Sequence, residues 1–333
     1  MPSPTPVIAA LALTIASLVA VPTASAEPVP VADTTAVEPG VVRIDTDLPV
    51  QGAVGSGTGV VLRPDGIALT NNHVIRGAAD ITATDVGTGR SYPVDVVGYD
   101  RKNDVAVLRL RGASNLPVAP TADSSTVRIG DPVTGVGFPG GGPLTRSPGT
   151  VRALGQNVTA DDDFTGSSEQ LDGLIGFDAD TLPGDSGGPL VDSTGRVVGI
   201  VTVGSQTYRM TNAGGFAIPI NQALATAEAI QAGNASGSVH VGPTGILGIG
   251  INDDRDPAGV VVQGVLRGSP ADLAGLAGGD VITGIDAVPT PDGTVLTDVL
   301  DRHHPGDPVT VDYLDRARTA HSIPVRLAAG PPN

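Results

Sequence analysis

The stretch that decides the fold is Leu-Pro-Gly-Asp-Ser-Gly-Gly-Pro, residues 182–189, in which one serine, Ser186, stands among glycines. Glycine loses more chain entropy on folding than any other residue and packs no side chain, so this cluster needs a reason. Small neighbours would let a carbonyl group come close to the Ser186 hydroxyl. A tight turn at Gly184 would direct the backbone N–H groups of Gly184 and Ser186 to the point where an oxyanion forms. The alternative is an ordinary glycine-rich surface turn, and the octapeptide alone leaves it open.

The composition limits the class of protein. A chain of 333 residues can form two modest domains with real cores. Against 35 Asp and Glu there are 19 Lys and Arg, and the formal net charge of −16 argues against nucleic acid or an anionic membrane surface as partner. The chain has no cysteine, which excludes disulfides, thiolate nucleophiles and cysteine metal sites. The 46 Gly and 29 Pro, with few aromatic residues, favour short strands and turns over long helices.

The first residues have the pattern of an export signal. Residues 7–21 are almost all apolar and uncharged, and Ala-Ser-Ala follows at 24–26. This pattern predicts a signal peptide cleaved after Ala26, a mature start near Glu27, and a secreted or cell-envelope location. The apolar run is short for a membrane-spanning helix, which needs about 20 residues. Residues 1–6 contain no Lys or Arg, which leaves open a start further upstream or an uncleaved anchor.

Beyond the signal, the chain divides into two modules. Short apolar runs recur between turn signals from residue 41 to residue 218, which is typical of an all-β sandwich or barrel. Asn221 can cap a helix predicted over 222–232. The second module has predicted helices over 270–275 and 294–302. We expect a signal peptide, a flexible lead-in, a first domain, a linker and a second domain over 1–26, 27–40, 41–232, 233–242 and 243–329.

Two residues upstream of Ser186 could activate its hydroxyl. A serine is a poor nucleophile until a base takes its proton, and that base needs a carboxylate to orient it. His73 follows a predicted strand, where its side chain can project into a cleft, and Asp104 directly precedes an apolar strand that can bury its carboxylate. A structural histidine is the alternative for His73, and Asp100 competes with Asp104 but lies farther from the strand. We expect no catalytic part for the remaining histidines, His240, His303, His304 and His321.

Taken together, these stretches resemble a known family, the HtrA-type (DegP-like) trypsin-fold serine proteases with a C-terminal PDZ domain. The resemblance covers about residues 41–328 and is particularly clear for the secreted PDZ proteases of mycobacteria and related actinobacteria. The order His, Asp, Ser along the chain is also that of chymotrypsin. The motifs that carry the resemblance are Gly-Ser-Gly at 55–57, Thr-Asn-Asn-His-Val-Ile at 70–75, Asp-Val-Ala-Val-Leu at 104–108, Gly-Asp-Ser-Gly-Gly-Pro at 184–189, Gly-Phe-Ala-Ile-Pro at 215–219, Ser-Pro-Ala at 269–271, Ala-Gly-Leu at 274–276 and Gly-Asp-Val-Ile at 279–282.

The resemblance implies a mainly β fold, with two six-stranded barrels of the chymotrypsin/trypsin type, the active site between them, and a PDZ domain behind. It implies an exported serine endopeptidase that cleaves misfolded or unstructured polypeptides through an acyl-enzyme, with no metal or other cofactor. Ser186 would be the nucleophile, His73 the general base and then acid, and Asp104 the residue that orients His73. The remaining assignments are the oxyanion donors, Gly184 and Ser186, and the strand that pairs with substrate backbone, Thr202, Val203 and Gly204.

Two acidic residues near the serine depart from the pattern of HtrA-type relatives. Many relatives have an apolar residue where this chain has Asp180, and in trypsin that position holds the aspartate that selects basic side chains. Asp180 therefore either selects Arg or Lys, or is structural or exposed because the loop runs differently, in which case cleavage follows small aliphatic residues. The Asn that precedes Pro-Gly in many relatives is Leu182 here, and most have Asn at Asp185. Trypsin holds the matching aspartate with a newly cut N-terminus; no such activation site is evident here, so Asp185 needs another donor.

In the second module, Ile246-Leu247-Gly248-Ile249 resembles the carboxylate-binding loop of PDZ domains. Backbone N–H groups there would receive the C-terminal carboxylate of a substrate or regulatory peptide, and an apolar pocket would take its last side chain. A plain strand that begins with a glycine bulge is the alternative, and the downstream Ser-Pro-Ala to Gly-Asp run favours the PDZ interpretation.

A different class of function also fits: a PDZ adaptor or holdase chaperone whose protease domain is inactive at rest. Loops 137–148, 157–173 and 204–215 would then control the resting conformation. The lead-in over 27–40 lacks the aromatic residues through which many relatives trimerise, so a homo-oligomer stays open. The natural substrate is also left open.

Overall fold

The computed structural model describes residues 32–49, 52–162, 167–202, 214–235 and 237–332. The predicted signal peptide, 1–26, and two substrate-binding candidates, Val203 and Gly204, lie outside the described residues. Within these ranges, no helix is both long enough and apolar enough to cross a membrane.

Six antiparallel strands close a first β-barrel. Its elements are β1 (Val41–Leu48), β2 (Ala53–Arg63), β3 (Ile67–Thr70), α1 (Asn72–Ile75), β4 (Asp80–Asp85), β5 (Arg90–Asp100) and β6 (Val105–Leu110). The strand order is β5-β4-β1-β2-β3-β6, and β5 also pairs with β6, which closes the barrel. Burial alternates along β1, so one face of the strand lines an interior that contains Ile44, Tyr99 and Leu108.

A second barrel follows, also of six strands. Its elements are β7 (Pro132–Gly137), β8 (Thr145–Asp162), β9 (Ser167–Phe177), β10 (Pro189–Asp192), β11 (Val197–Thr202), β12 (Gly215–Pro219) and the helix α2 (Ile220–Gln231). The closed order is β10-β11-β12-β9-β8-β7. The two barrels confirm the predicted mainly β, double-barrel fold. Short 3-10 turns form at Glu38–Gly40, Ser124–Thr126 and Pro139–Gly141.

The two barrels share one hydrophobic core. A single cluster of buried side chains joins Leu69 and Val107 of the first barrel to Phe138 and Ile200 of the second. All six residues of β11 are buried, because this strand packs against apolar groups on both faces. Burial of one large apolar side chain is worth about 1.5–3 kcal/mol, so this cluster holds the barrels together firmly. The loops that follow β3 and precede β10 therefore meet at the junction.

The described part of the lead-in is packed, which differs from the flexible segment that the sequence predicts. Val37 is fully buried in the core that the barrels share. The Ala32 N–H donates to Thr134 Oγ1 at 3.1 Å. A Cβ at Gly40 would lie 2.5 Å from the backbone nitrogen of Ala119, so the chain passes too close for a side chain. A Pro-, Ala- and Val-rich composition indicates little local structure, but it carries no information about long-range burial.

Two other segments predicted as linker or loop form strands. Part of the linker is β13 (Val239–Val241), which pairs antiparallel with β5 as a seventh strand of the first sheet. A Cβ at Gly98 would lie 2.4 Å from the His240 C=O, so this pairing requires the glycine. Much of the loop expected over 157–173 belongs to the β8–β9 hairpin. Neither stretch shows strong apolar alternation, so its strand character depends on the partner strand.

The second module is a separate small domain. Its elements are β14 (Thr244–Ile246), β15 (Ile249–Asp256), β16 (Gly259–Val265), α3 (Pro270–Ala274), β17 (Val281–Ile285), β18 (Val288–Pro289), α4 (Gly293–Leu300), β19 (Pro308–Leu314), β20 (Ala320–Arg326) and β21 (Ala328–Gly330). Strand β15 lies at one edge of the path β15-β16-β17-β19-β20, β18 pairs with β17, and β14 pairs with β21. The helices begin after Ser269 and Asp292, whose side chains accept backbone N–H bonds as N-caps. Its buried core contains Leu247, Val262, Ile282, Leu296 and Val311.

Candidate active site

The site is built on a carboxylate and an imidazole carried by the first barrel. His73 lies in α1, directly after β3, and Asp104 directly precedes β6. His73 Nδ1 lies 2.8 Å from Asp104 Oδ2, and the His73 backbone N–H donates to Asp104 Oδ1 at 3.0 Å. Because His73 occupies both carboxylate oxygens, its ring is held in one orientation, with Nε2 directed away from Asp104.

Asp104 is buried and carries its charge. The residue is 2% exposed, and Thr202 Oγ1 donates to Asp104 Oδ2 at 2.9 Å. Burial alone would raise the pKa of Asp104, but the charge of His73 and the hydrogen bonds from His73 and Thr202 outweigh it and hold this pKa below its ordinary value. The carboxylate can therefore stabilise an imidazolium at His73. The sequence pointed to Thr202 only for its backbone, because a hydroxyl in an apolar strand has no local signal for this contact.

The turn before Asp104 places the carboxylate. Asp104 has φ of 52°, in the left-handed region that residues other than glycine rarely adopt. Asn71 Nδ2 donates to the Asp104 C=O at 2.9 Å, and the Asp104 N–H donates to the Arg101 C=O at 3.2 Å. Asp100, the competing candidate, accepts hydrogen bonds from Asn103 instead. The structure thus brings Asp104, and not Asp100, to the imidazole.

Ser186 lies in a loop, residues 182–188, that both barrels enclose; we call it the nucleophile loop. The Ser186 C=O accepts a hydrogen bond from the Thr58 N–H at 2.8 Å. A Cβ at Gly187 would lie 2.1 Å from the Thr58 C=O, and a Cβ at Gly188 would lie 2.2 Å from the Val136 C=O. The glycines after the serine are therefore required because strands β2 and β7 approach the loop backbone so closely.

The peptide bond between Pro183 and Gly184 is held in one orientation. The Pro183 C=O accepts a hydrogen bond from the Gly140 N–H at 2.7 Å. In a trans peptide the N–H points opposite to the C=O, so the Gly184 N–H is directed away from Gly140. No acceptor for this N–H occurs in the described part of the chain. Gly184 has φ of 105°, and a Cβ there would lie 2.4 Å from the Phe138 C=O, so only glycine fits.

Thr58, which is not among the residues predicted from the sequence, holds the nucleophile loop. Its Oγ1 donates to the Gly184 C=O at 2.7 Å and accepts from the Phe138 N–H at 3.1 Å. Thr58 is fully buried, and its C=O accepts a hydrogen bond from Thr70 Oγ1 at 2.7 Å. One side chain of the first barrel thus links Gly184 to the second barrel. The available signal was a polar residue at the start of the apolar run in β2.

Asp180 is exposed on the segment before the nucleophile loop. Its neighbour Asp178 is more enclosed, accepting the Thr150 N–H at 2.6 Å and pairing with Arg152. An exposed carboxylate is already solvated, so it lacks the burial that makes an unpaired carboxylate favour a basic ligand. This placement favours the alternative in which Asp180 is exposed over the one in which it selects basic side chains.

Asp185 finds its donor within its own loop. Its Oδ2 accepts the Leu182 N–H at 2.9 Å. Its Oδ1 is buried and has no hydrogen-bond donor among the described residues, and a Cβ at Gly137 would lie only 2.5 Å from that oxygen. Burial raises the pKa of Asp185, and the single bond from Leu182 opposes this without cancelling it. The carboxylate next to the serine is therefore in a costly position.

The segment predicted as a carboxylate-binding loop joins two different sheets. β14 ends at Ile246 and β15 begins at Ile249, so Leu247 and Gly248 form the connection. The Leu247 side chain is buried, and Gly248 has φ of 79°. The Gly248 C=O accepts Ser269 Oγ at 3.2 Å, which orients the turn. Strand β15 lies at the edge of its sheet and is in contact with helix α4.

The other histidines lie away from this site. His240 is in β13, His303 and His304 follow α4, and His321 is in β20. Over the ranges that the structure describes, no three His, Cys, Asp or Glu side chains form a group that could hold a metal ion.

Comparisons with known proteins agree with this arrangement. Residues 57–200 match the trypsin-like peptidase domain family, and residues 245–323 match the PDZ domain family. The chain is 34% identical over 307 residues to the serine protease PepD of Mycobacterium tuberculosis, a match that covers 87% of this chain and 64% of that protein. It is 32% identical over 276 residues to the periplasmic pH-dependent serine endoprotease DegQ of Escherichia coli, covering 80% of this chain and 58% of that protein. The chain thus spans less than two thirds of either relative.

A solved structure is similar over most of its length. The HtrA-type protease AlgW with a tripeptide superposes with a TM-score of 0.52 and 30% identity, covering 90% of this chain and 97% of that chain. Both domain families, in the same order, are thus matched by sequence and by structure. The chain belongs to the HtrA-type (DegP-like) family of trypsin-fold serine proteases that carry a PDZ domain.

Proposed function

We propose that the chain is a serine endopeptidase with Ser186, His73 and Asp104 as its catalytic triad. The observation that carries the proposal is that His73 binds both oxygens of a buried Asp104 through Nδ1 and its backbone N–H. The enclosure of Ser186 by glycines at the junction of the barrels adds to it. Membership of the HtrA-type family supports the same roles.

The proposed reaction uses these groups in order. Ser186 Oγ attacks the substrate carbonyl carbon while His73 Nε2 takes its proton, and Asp104 stabilises the resulting imidazolium. The N–H groups of Gly184 and Ser186 bind the oxyanion. His73 returns the proton to the leaving amine as the C–N bond breaks, which leaves an acyl-enzyme on Ser186. A water that His73 deprotonates then hydrolyses the ester.

We expect the substrates to be misfolded or unstructured polypeptides. β11 ends at Thr202, beside Asp104, and the residues that follow, Val203 and Gly204, would pair with the substrate backbone. Only an extended segment can add such a strand, because the backbone groups of a folded domain are already paired. A cleft of about 660 Å³, lined mainly by residues of β1, β2 and β4, reaches the nucleophile loop at Pro183.

The PDZ domain would bind the C-termini of substrates or regulatory peptides. A peptide added to the free edge of β15 would lie beside α4, and its carboxylate would reach the N–H groups of the connection at Leu247 and Gly248. The positive φ of Gly248 supports this, since such turns direct successive N–H groups to one side.

Export is the third part of the proposal. The apolar stretch over 7–21 and the Ala-Ser-Ala at 24–26 favour cleavage after Ala26 and a secreted or envelope location. The relative DegQ is named as periplasmic, which supports the same compartment.

A fluorophosphonate probe tests the triad directly. We expect the probe to label Ser186 of the folded chain, identified by mass spectrometry, and the Ser186→Ala variant to be unlabelled and inactive on casein. The loss of rate should be on the order of 10⁴-fold or more, because the three residues act as a unit. Ser322→Ala, an exposed serine in β20, is the matched control and should be labelled like the wild type. Casein cleavage that survives Ser186→Ala would overturn the assignment.

A further inference from the structure

A buried arginine links the turn of Asp104 to the PDZ domain. Arg101 lies in the turn between β5 and β6, three positions before Asp104, and is 4% exposed. Its guanidinium contacts Asp298 on α4, and its Nε lies 3.6 Å from Asp301 Oδ2, directly after α4. A guanidinium buried this deeply needs carboxylate partners, and these two come from the other domain.

Asp301 is at the centre of the contact between the protease domain and the PDZ domain, which we call the joint. Its Oδ1 accepts Tyr99 OH at 2.9 Å, and its C=O lies 2.7 Å from His240 Nδ1 on β13. A carboxylate at the C-terminal end of a helix meets the negative end of the helix dipole, so its position is unfavourable for α4 itself. The Asp301 side chain is only 11% exposed, so the cation of Arg101 and the hydroxyl of Tyr99 offset both costs. Its contacts therefore serve the joint between domains.

The same turn is held from the opposite side by the protease domain. Asp100 accepts the Asn103 N–H at 3.2 Å and Asn103 Nδ2 at 2.6 Å, and Gln222 Nε2 on α2 donates to Asn103 Oδ1 at 3.0 Å. Between these anchors, Asp104 keeps its left-handed φ of 52°. Such a backbone conformation persists only when its surroundings over-determine it. The contact of Arg101 with α4 is one of those constraints.

We propose that Arg101 is a positioning residue for the proteolytic reaction, and that Asp301 of the PDZ domain is its anchor. The inference rests on the proposed triad. With the anchor lost, the turn can relax, Asp104 moves relative to His73, and the imidazole loses its fixed orientation. The PDZ domain is then a structural part of the catalytic unit in addition to being a peptide-binding module, because the helix in contact with β15 also fixes the catalytic aspartate.

The test compares kcat and KM of full-length variants on an internally quenched peptide with an amidated C-terminus. Because the amidated peptide has no C-terminal carboxylate for the PDZ loop to bind, binding to the PDZ domain does not contribute to the measured rate. Asp301→Asn keeps an acceptor for Tyr99 but removes the more buried of the two carboxylate charges that pair with Arg101, and it leaves the exposed Asp298 in place. We expect kcat about tenfold lower with KM within about twofold, since a misplacement of about 1 Å can cost up to about 10²-fold. Arg101→Met should behave alike, and Arg101→Lys should restore part of the rate.

Two further readouts separate positioning from general loosening. The downfield proton NMR resonance of His73 Nδ1–H reports the bond to Asp104, and it should shift or broaden in Asp301→Asn. The control is His304→Ala, which removes a ring stacked on His240 at 5.2 Å and a contact with the Val241 C=O in the same joint, without touching Arg101. We expect its kcat to stay within about twofold of the wild type. In the double variant Arg101→Met/Asp301→Asn, kcat should be no lower than in Arg101→Met alone, because both changes remove the same contact.

Unchanged kcat and resonance in a folded Asp301→Asn, or an equal loss in His304→Ala, would overturn the positioning role. If Arg101→Met does not fold, Asp301→Asn and Asp298→Asn decide the question. Asp104→Asn keeps the two proposals apart, because a wild-type rate there would overturn the triad itself. A loss at Asp104→Asn with no loss at Asp301→Asn would overturn only the role of Arg101.

Discussion

Replacement of Thr58 by valine should damage the oxyanion site without touching a triad residue. Valine has nearly the shape of threonine, but the variant leaves the Gly184 C=O without its 2.7 Å donor and the Phe138 N–H without its 3.1 Å acceptor. Each buried backbone group left without a partner costs about 1–3 kcal/mol, so the loss of two partners should lower the free energy of unfolding by about 2–6 kcal/mol. Gly184 also loses a constraint that directs its N–H, and complete loss of one oxyanion donor costs about 10²–10³ in kcat. For a displaced donor we expect a kcat lower by about 10- to 100-fold.

Peptide kinetics and a transition-state analogue measure this effect. A peptidyl boronic acid forms a tetrahedral adduct with the serine, so its affinity should fall in parallel with kcat/KM while KM changes little. Thr58→Ser is the matched control, because it keeps the hydroxyl and loses only a methyl group; its kcat should stay within about threefold of the wild type. Urea unfolding gives the stability change separately. Wild-type kcat and wild-type boronate affinity in Thr58→Val would refute the role assigned to this hydroxyl.

Three other outcomes follow from the structure. Asp185→Asn should be more stable than the wild type at pH 7 in urea unfolding, because burial raises the pKa of Asp185 and the amide places no charge in this position. The folded-state pKa of Asp185 is raised, so the wild type loses stability as the pH rises through it, and the advantage of the variant should shrink at acidic pH; a constant advantage would contradict this. Profiling of a peptide library should show cleavage after small aliphatic residues and the same profile for Asp180→Ala, whereas a loss of cleavage after Arg and Lys in the variant would mean that Asp180 selects them. A peptide with a free apolar C-terminus should bind the full-length Ser186→Ala chain and its amidated form should not; equal affinities would exclude the loop at Leu247 and Gly248 as a carboxylate site.

The local requirements of the nucleophile loop could be predicted from the sequence. The glycines at 184, 187 and 188 are needed because a backbone carbonyl oxygen occupies the place where a Cβ would lie. Such a requirement concerns single positions, so it is visible in the sequence without knowledge of the surrounding structure. His73 and Asp104 could be predicted in the same way, since each stands at the end of an apolar strand run. The spacing of short strands and turns predicted an all-β first module followed by a second module, whereas the double barrel was implied by the resemblance to the HtrA-type family.

Other features depended on contacts between distant segments. The role of Thr58 arises because β2 lies against the nucleophile loop, 126 residues away, and a single buried hydroxyl leaves no periodic signal in the sequence. The burial of Val37 in the shared core and the pairing of β13 with β5 likewise depend on their partners. Composition predicted a flexible lead-in and a linker for these two segments, because it counts residue types and carries no information about what covers them.

By itself, the sequence determined which residue types could carry the chemistry and in which order they occur. Motifs reflect local constraints, such as a glycine where no Cβ fits or an acidic residue before a buried strand. Each of these constraints concerns one position, so it can be recognised in the sequence. Only the tertiary structure decided which carboxylate reaches His73, which hydroxyl holds the nucleophile loop, and that Arg101 is anchored by Asp301. These are pairwise contacts between residues far apart in the chain, and their geometry exists only once both barrels and the PDZ domain have packed.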